Sequence, residues 1–156
     1  MALQIGDKAP RFELPEGPGE MVDVGAAFDA GRTVLLFYPF AFSPVCSDGF
    51  CHVRDHWSSL LESGTKVFGI SIDSPFVAKK FRETESLPYQ LLADFNKEVA
   101  TSYGVLHEDL MGLKGVAKRS AFVVESDGTI SFAWVTDDPR VPVPFDELEA
   151  AVSASV

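Results

Sequence analysis

Residues 33–55 read TVLLFYPFAFSPVCSDGFCHVRD, and the two halves of that stretch obey different periods. Residues 33–38 are a continuous apolar run, β-branched at its start and closed by Pro39. So short a run, ended by proline, predicts a strand buried on both faces. From Pro44 the period becomes helical. Cys46, Phe50, Val53, Trp57, Leu60 and Leu61 recur at i, i+4, i+7, i+11, i+14 and i+15. They form one apolar stripe on a helix expected to run to about residue 63, where Gly64 stops it.

Working outward, residues 66–72 (KVFGISI) read as a second buried strand. Ser74-Pro75 supplies a helix cap and a first helical position, opening a helix to about Glu85. A short strand is expected at 91–93 and a short helix at 96–103. Residues 120–125 and 129–135 flank Ser126-Asp127-Gly128, a hairpin signal. A closing amphipathic helix is expected over 144–152, and the cluster at 15–19 (PEGPG) reads as a loop. Strand, helix, strand, helix, hairpin and helix predict an α/β domain, a mixed central sheet with helices on both faces. A right-handed crossover makes the first two long strands parallel neighbours. This order fits a thioredoxin-like three-layer α/β/α fold with an N-terminal extension. No linker or repeat divides residues 1–156, so a single domain is expected.

Thirteen Lys and Arg stand against 23 Asp and Glu, a net charge of −10. That argues against a nucleic-acid partner, which needs a basic face, and it disfavours an anionic membrane surface. No apolar run approaches the roughly 20 residues of a membrane span. The start, MALQIGDKAP, lacks a basic region followed by an apolar stretch, which by default predicts a cytoplasmic chain. Two cysteines are too few for a disulfide scaffold, so a chemical role is expected for Cys46 and Cys51.

The chemistry begins at Ser43-Pro44-Val45-Cys46. Ser is a favoured N-cap and Pro a favoured first helical residue, so Cys46 falls in the first turn. Unpaired backbone N–H groups and the positive end of the helix dipole stabilise an anion there. A sulfur so placed is favoured as thiolate, the nucleophilic form. The Ser43 hydroxyl, one turn away, is within reach of that sulfur or its target, and Pro39 can shield it from water. Taken alone, a lone cysteine on an apolar stripe is also a small buried hydrophobe.

Pro39, Ser43 and Cys46 fit P-x-x-x-[T/S]-x-x-C, and here the chain resembles the peroxiredoxins, thiol peroxidases that reduce hydroperoxides. The resemblance covers nearly the whole chain. GDKAPRFELP is similar to the family's amino-terminal segment, and KRSAFVVESDGTI to its later arginine and hairpin. FAFSPVC followed by VRDHW resembles the alkyl hydroperoxide reductase E type. The step from Cys46 to Cys51 resembles the Q type, also called bacterioferritin comigratory protein. The resemblance implies that Cys46 is the peroxidatic cysteine and that Ser43 contacts thiolate and peroxide. It implies that Pro39 keeps the pocket dry and that Arg119 stands beside the sulfur. It also implies that Cys51 resolves the sulfenic acid as an intramolecular disulfide, with a thioredoxin-like dithiol as reductant and no bound cofactor. A one-cysteine enzyme resolved by an external thiol, and a disulfide-exchange or redox-sensing protein of the same fold, stay open.

One departure matters. Many members carry Glu or Gln three residues after the peroxidatic cysteine, buttressing the arginine. This chain has Gly49, with Asp48 turned about 100° away. A different partner for Arg119, or a looser arginine, is expected. On an ideal helix residues 46 and 51 have Cα atoms roughly 8–9 Å apart, beyond disulfide reach, so resolution needs local unwinding. Cys51 falls off the apolar stripe, beside Asp48, Asp55 and Ser58. Cys46, Cys51, His52 and His56 superficially suggest a metal site. Their helix angles, roughly 140°, 240° and 280° from Cys46, do not converge on one ion. His52 and His56 are expected in solvent, His56 capping or pairing with an acid. His107, beside Glu108 and Asp109, is expected at the surface. Phe40 and Phe42, without an obvious strand partner, predict exposed apolar surface, and the resemblance implies that this region contributes to a homodimer contact or to the peroxide pocket.

Overall fold

The computed structural model describes residues 1–154. A hairpin of β1 (Glu13–Gly17) and β2 (Glu20–Asp23) leads into α1 (Val24–Ala30). Then follow β3 (Thr33–Phe37), α2 (Pro44–His56), α3 (Ser58–Glu62), β4 (Lys66–Ser71), α4 (Pro75–Glu85) and β5 (Gln90–Ala93). The chain continues through α5 (Glu98–Ser102), β6 (Leu106–His107), β7 (Val116–Ala117), β8 (Ser120–Val124), β9 (Ile130–Val135) and α6 (Phe145–Ser153).

Five strands build the central sheet in the order β5-β4-β3-β8-β9. β3 pairs in parallel with β4, and β4 with β5, as right-handed helical crossovers require. β8 returns antiparallel to β3 and forms the expected hairpin with β9. β3 lies at the centre, buried at all five residues. Its alternation divides the core. Val34, Leu36 and Tyr38 face the layer of α2, α4 and α6. Leu35 and Phe37 face the layer of α1 and α5. The mixed, doubly covered sheet expected from the sequence is therefore present.

Three expectations need correction. The helix expected to reach residue 63 is interrupted at Trp57 (φ −109°, ψ 17°). The Trp57 indole is fully buried, while Leu60 and Leu61 reach the core only in part. The 15–19 cluster is not all loop: β1 runs through Pro15 to Gly17, with its register shifted between them. Proline is tolerated at such an edge irregularity. His107 is not at the surface. Its pairing with Val116 turns the side chain inward to 7% exposure. Burial first, then the Lys118 ammonium, pushes the imidazole below its usual range.

Candidate active site

The loop between β3 and α2 carries the site. Tyr38 N–H still bonds Ile70 O (3.0 Å), continuing the β3–β4 ladder, and buried Pro39 then ends it. Phe42 adopts a left-handed backbone (φ 69°), unusual for a bulky residue, and turns the chain into α2. The loop is tied down from β4. Asp73 Oδ2 accepts from Ala41 N–H (2.8 Å) and from Ser71 Oγ (2.7 Å).

Ser43 has the extended backbone of an N-cap (φ −72°, ψ 146°), and Pro44 is the first helical residue, as the sequence indicates. Its hydroxyl behaves differently from expectation. Ser43 Oγ donates to Phe40 O (3.1 Å), bonding neither the sulfur nor a helix N–H. Among the described residues the first-turn N–H groups of α2 have no side-chain acceptor.

Cys46 is 1% exposed. Arg119, immediately before β8, meets it from across the sheet. The Nη1 group donates to Cys46 Sγ at 3.2 Å, 73 residues away in sequence. Arg119 is itself 5% exposed. Its carbonyl accepts from Thr136 N–H (3.1 Å), and its Nη2 donates to Pro139 O (3.1 Å). The Pro139 carbonyl is thus a partner of Arg119 other than a side chain at position 49. Arg119 Nε has no hydrogen-bond partner among the described residues. The space a side chain at 49 would fill is occupied: a Cβ there would lie 3.2 Å from Phe145 Cζ of α6. Phe145, with no signal in the sequence, therefore belongs to the site.

A cavity of about 20 Å³ lies beside Cys46, lined also by Tyr38, Val45, Arg119 and Phe145. That is room for about one small molecule the size of water. Val45 and Arg119 also line a wider cleft of about 240 Å³, together with Pro39, Ser43, Leu110 and Met111. The walls of that cleft are mostly apolar.

Cys51 is half-buried on the other side of α2, with its Sγ donating to Glu85 Oε2 (3.2 Å). Both cysteines are unbonded thiols on one helix. His52 packs its ring, tilted, on His56 (centroids 4.6 Å) and on Phe145 (4.8 Å), and among the described residues His56 makes no ion pair within 4 Å. Among the described residues no three His, Cys, Asp or Glu side chains converge on a metal position. Phe42 is 48% exposed and packs its ring on Phe81 (4.9 Å). Among the described residues no helix is long and apolar enough to cross a membrane.

Residues 5–133 match the AhpC/TSA family. The chain is 37% identical over 135 residues to peroxiredoxin Bcp of Escherichia coli K12, covering 85% of each chain. Among solved structures it is similar to peroxidoxin BcpB from Mycobacterium tuberculosis, with a TM-score of 0.84 and 30% identity over 96% of both chains. It is also similar to AhpC of Enterococcus faecalis, with a TM-score of 0.81 and 29% identity, covering 97% of this chain and 91% of that one. The chain belongs to the AhpC/TSA family of peroxiredoxins.

Proposed function

We propose that the chain reduces hydroperoxides through Cys46 and resolves the product through Cys51. The Cys46 thiolate attacks the nearer peroxide oxygen. A sulfur–oxygen bond forms and the oxygen–oxygen bond breaks. Water or an alcohol leaves with a proton, and the sulfur becomes a sulfenic acid. The observation that carries this reading is the Arg119 Nη1–Cys46 Sγ contact of 3.2 Å at the open end of α2. A fixed guanidinium there stabilises the charge developing on the leaving oxygen. Plain disulfide exchange has no need of it. Pro39 and Ser43 act as wall and loop brace, and the apolar cleft beside them suits organic hydroperoxides as well as hydrogen peroxide.

Cys51 then attacks the sulfenic sulfur and expels water. Because both cysteines lie on the continuous helix α2, the first turns must unwind for the bond to form. An external dithiol of the thioredoxin class returns the enzyme to the reduced form by exchange. The exposed Phe42 face takes a second copy of the chain. Sedimentation of wild type and Phe42→Asp tests that contact.

The central experiment adds one equivalent of hydrogen peroxide to wild type, Cys46→Ser and Cys51→Ser and reads intact mass. The expected results are an internal disulfide in wild type, a trappable sulfenic acid in Cys51→Ser and no reaction in Cys46→Ser. A wild type that stops at sulfenic or sulfinic sulfur would make this a one-cysteine enzyme recycled by an external thiol.

A further inference from the structure

The turn of α2 that carries Cys51 is gripped from outside by one short connection, residues 85–89. Glu85 ends α4, and Ser86 closes that helix in a left-handed conformation (φ 53°, ψ 48°). The Glu85 carboxylate accepts the Cys51 S–H at 3.2 Å, and its backbone carbonyl accepts from the Arg54 guanidinium. Four residues on, Tyr89 Oη donates to Phe50 O at 2.7 Å in a buried position. Among the described residues the amino-terminal turns of α2 have one such tie, the Arg119–Cys46 contact. Among the described residues the side chains of Ser47 and Asp48 make no hydrogen bond, and Gly49 has no side chain to offer.

Building on the resolving role proposed for Cys51, we infer that Glu85 is a positioning residue. It latches the Cys51 thiol onto α4, and its release governs how fast the disulfide forms. An ionised carboxylate is an acceptor only, so it holds the S–H form in place. The groups facing Cys51 are Glu85 from α4, Arg54 and Asp55 from α2 and Tyr89 just before β5. Burial first, then Glu85, pushes the thiol above its usual range, against a smaller opposing pull from Arg54. The latched thiol is a poor nucleophile, since attack needs the thiolate. On release, the Cys51 sulfur bonds the Cys46 sulfur, the sulfenic S–O bond breaks, and hydroxide leaves as water with the thiol proton. One sulfur is oxidised and the other reduced, with no further reagent.

The test compares Glu85→Gln, which removes the charge but keeps an acceptor, with Glu85→Ala, which removes both. In a Cys46→Ser background, iodoacetamide alkylation of Cys51 is followed from pH 7 to 10. Glu85→Gln is expected to move the midpoint to lower pH and to raise the neutral-pH rate several-fold. With both cysteines present, one equivalent of hydrogen peroxide is added and the disulfide is timed by quenched mass spectrometry. The expected order is Glu85→Ala faster than Glu85→Gln, and both faster than wild type, with less sulfinic acid at excess peroxide. Folded variants with an unchanged alkylation profile, or with slower disulfide formation, overturn the latch alone. A wild type that forms no internal disulfide overturns the resolving role and the latch with it.

Discussion

Replacing Arg119 with methionine tests the central contact directly. Methionine matches the length of the arginine stem, fills irregular space and carries no charge. The change removes one charge-assisted hydrogen bond to Cys46 Sγ (3.2 Å) and one to Pro139 O (3.1 Å). Two unit charges at that separation attract by about 5 kcal/mol at an effective dielectric near 20, which is a ceiling. Desolvation lowers it, and measured hydrogen bonds to charged groups fall at about 1.5–3 kcal/mol. The charge moves from sulfur to leaving oxygen during the reaction, so the guanidinium acts throughout the peroxide step. At about 1.4 kcal/mol per factor of ten, the second-order rate with peroxide should fall about ten- to 150-fold. Stability should change little. The orphaned Pro139 carbonyl costs about 1 kcal/mol, while removing a buried guanidinium returns part of its desolvation penalty. The assay is stopped-flow oxidation of the reduced protein, read by the buried Trp57 at the end of α2. Urea denaturation confirms the fold. A folded variant within threefold of the wild-type rate would refute the role given to this arginine.

The remaining predictions concern the frame around the sulfur. Asp73→Ala strips the acceptor from Ala41 N–H and Ser71 Oγ, at about 1–3 kcal/mol for the unpaired donors. The peroxide rate should drop roughly tenfold as the loop loosens, at about 1.4 kcal/mol per factor of ten, while Asp73→Asn keeps most of it; equal rates in the two variants count against this. Phe81→Ala empties a fully buried site touching the rings of Tyr38, Phe42 and Phe50, and should cost about 3–5 kcal/mol by urea denaturation. A loss under about 2 kcal/mol would mean the site collapses around the gap. Burial pushes the phenols of Tyr38, Tyr89 and Tyr103 above their usual value of 10.0. Above pH 10 the unfolded chain releases these protons and the folded chain keeps them. Stability should therefore be whole below pH 10 and fall by up to about 4 kcal/mol per pH unit above it. Urea midpoints between pH 8 and 11 check this, and a flat profile to pH 11 contradicts it.

What the sequence made legible was local. The apolar run closed by Pro39 set β3, Ser43-Pro44 set the start of α2, and Asp127-Gly128 set the β8–β9 turn. What it hid was carried by partners far along the chain. Asp73 meets Ala41 from 32 residues away, and Glu85 meets Cys51 from 34 residues away. No periodicity encodes such pairs. His107 looked exposed because its chain neighbours Glu108 and Asp109 are charged; the β6–β7 pairing, a tertiary event, turned it inward. Gly49 lay between these cases. The gap in the motif was visible, but its occupant, the Phe145 ring, was not. Trp57 broke a helix whose stripe continued through it, since periodicity registers the buried face and not the backbone angle that delivers it.

The same distribution of contacts decides which end of α2 moves in a two-cysteine cycle. Unwinding from the carboxyl side would pull Phe50 from its place against the Tyr38, Phe81 and Tyr89 rings. Exposing a buried phenylalanine alone costs about 1.5–3 kcal/mol. The Tyr89–Phe50 hydrogen bond would be lost as well. Unwinding from the amino side surrenders Cys46 and the turn through Gly49, a residue that already weakens a helix by up to about 1 kcal/mol relative to alanine. Oxidation also changes what that end has to lose. A sulfenic acid is neutral, so the Arg119 contact and the open N–H groups of α2 no longer hold an anion. The cheaper path therefore releases residues 44–49 and leaves Phe50 and Arg54 on their anchors, so that only the Cys51–Glu85 contact has to be given up on that side. In the proposed two-cysteine cycle the oxidised sulfur would then travel to the resolving thiol, and peroxide chemistry itself would loosen the end of the helix that must open.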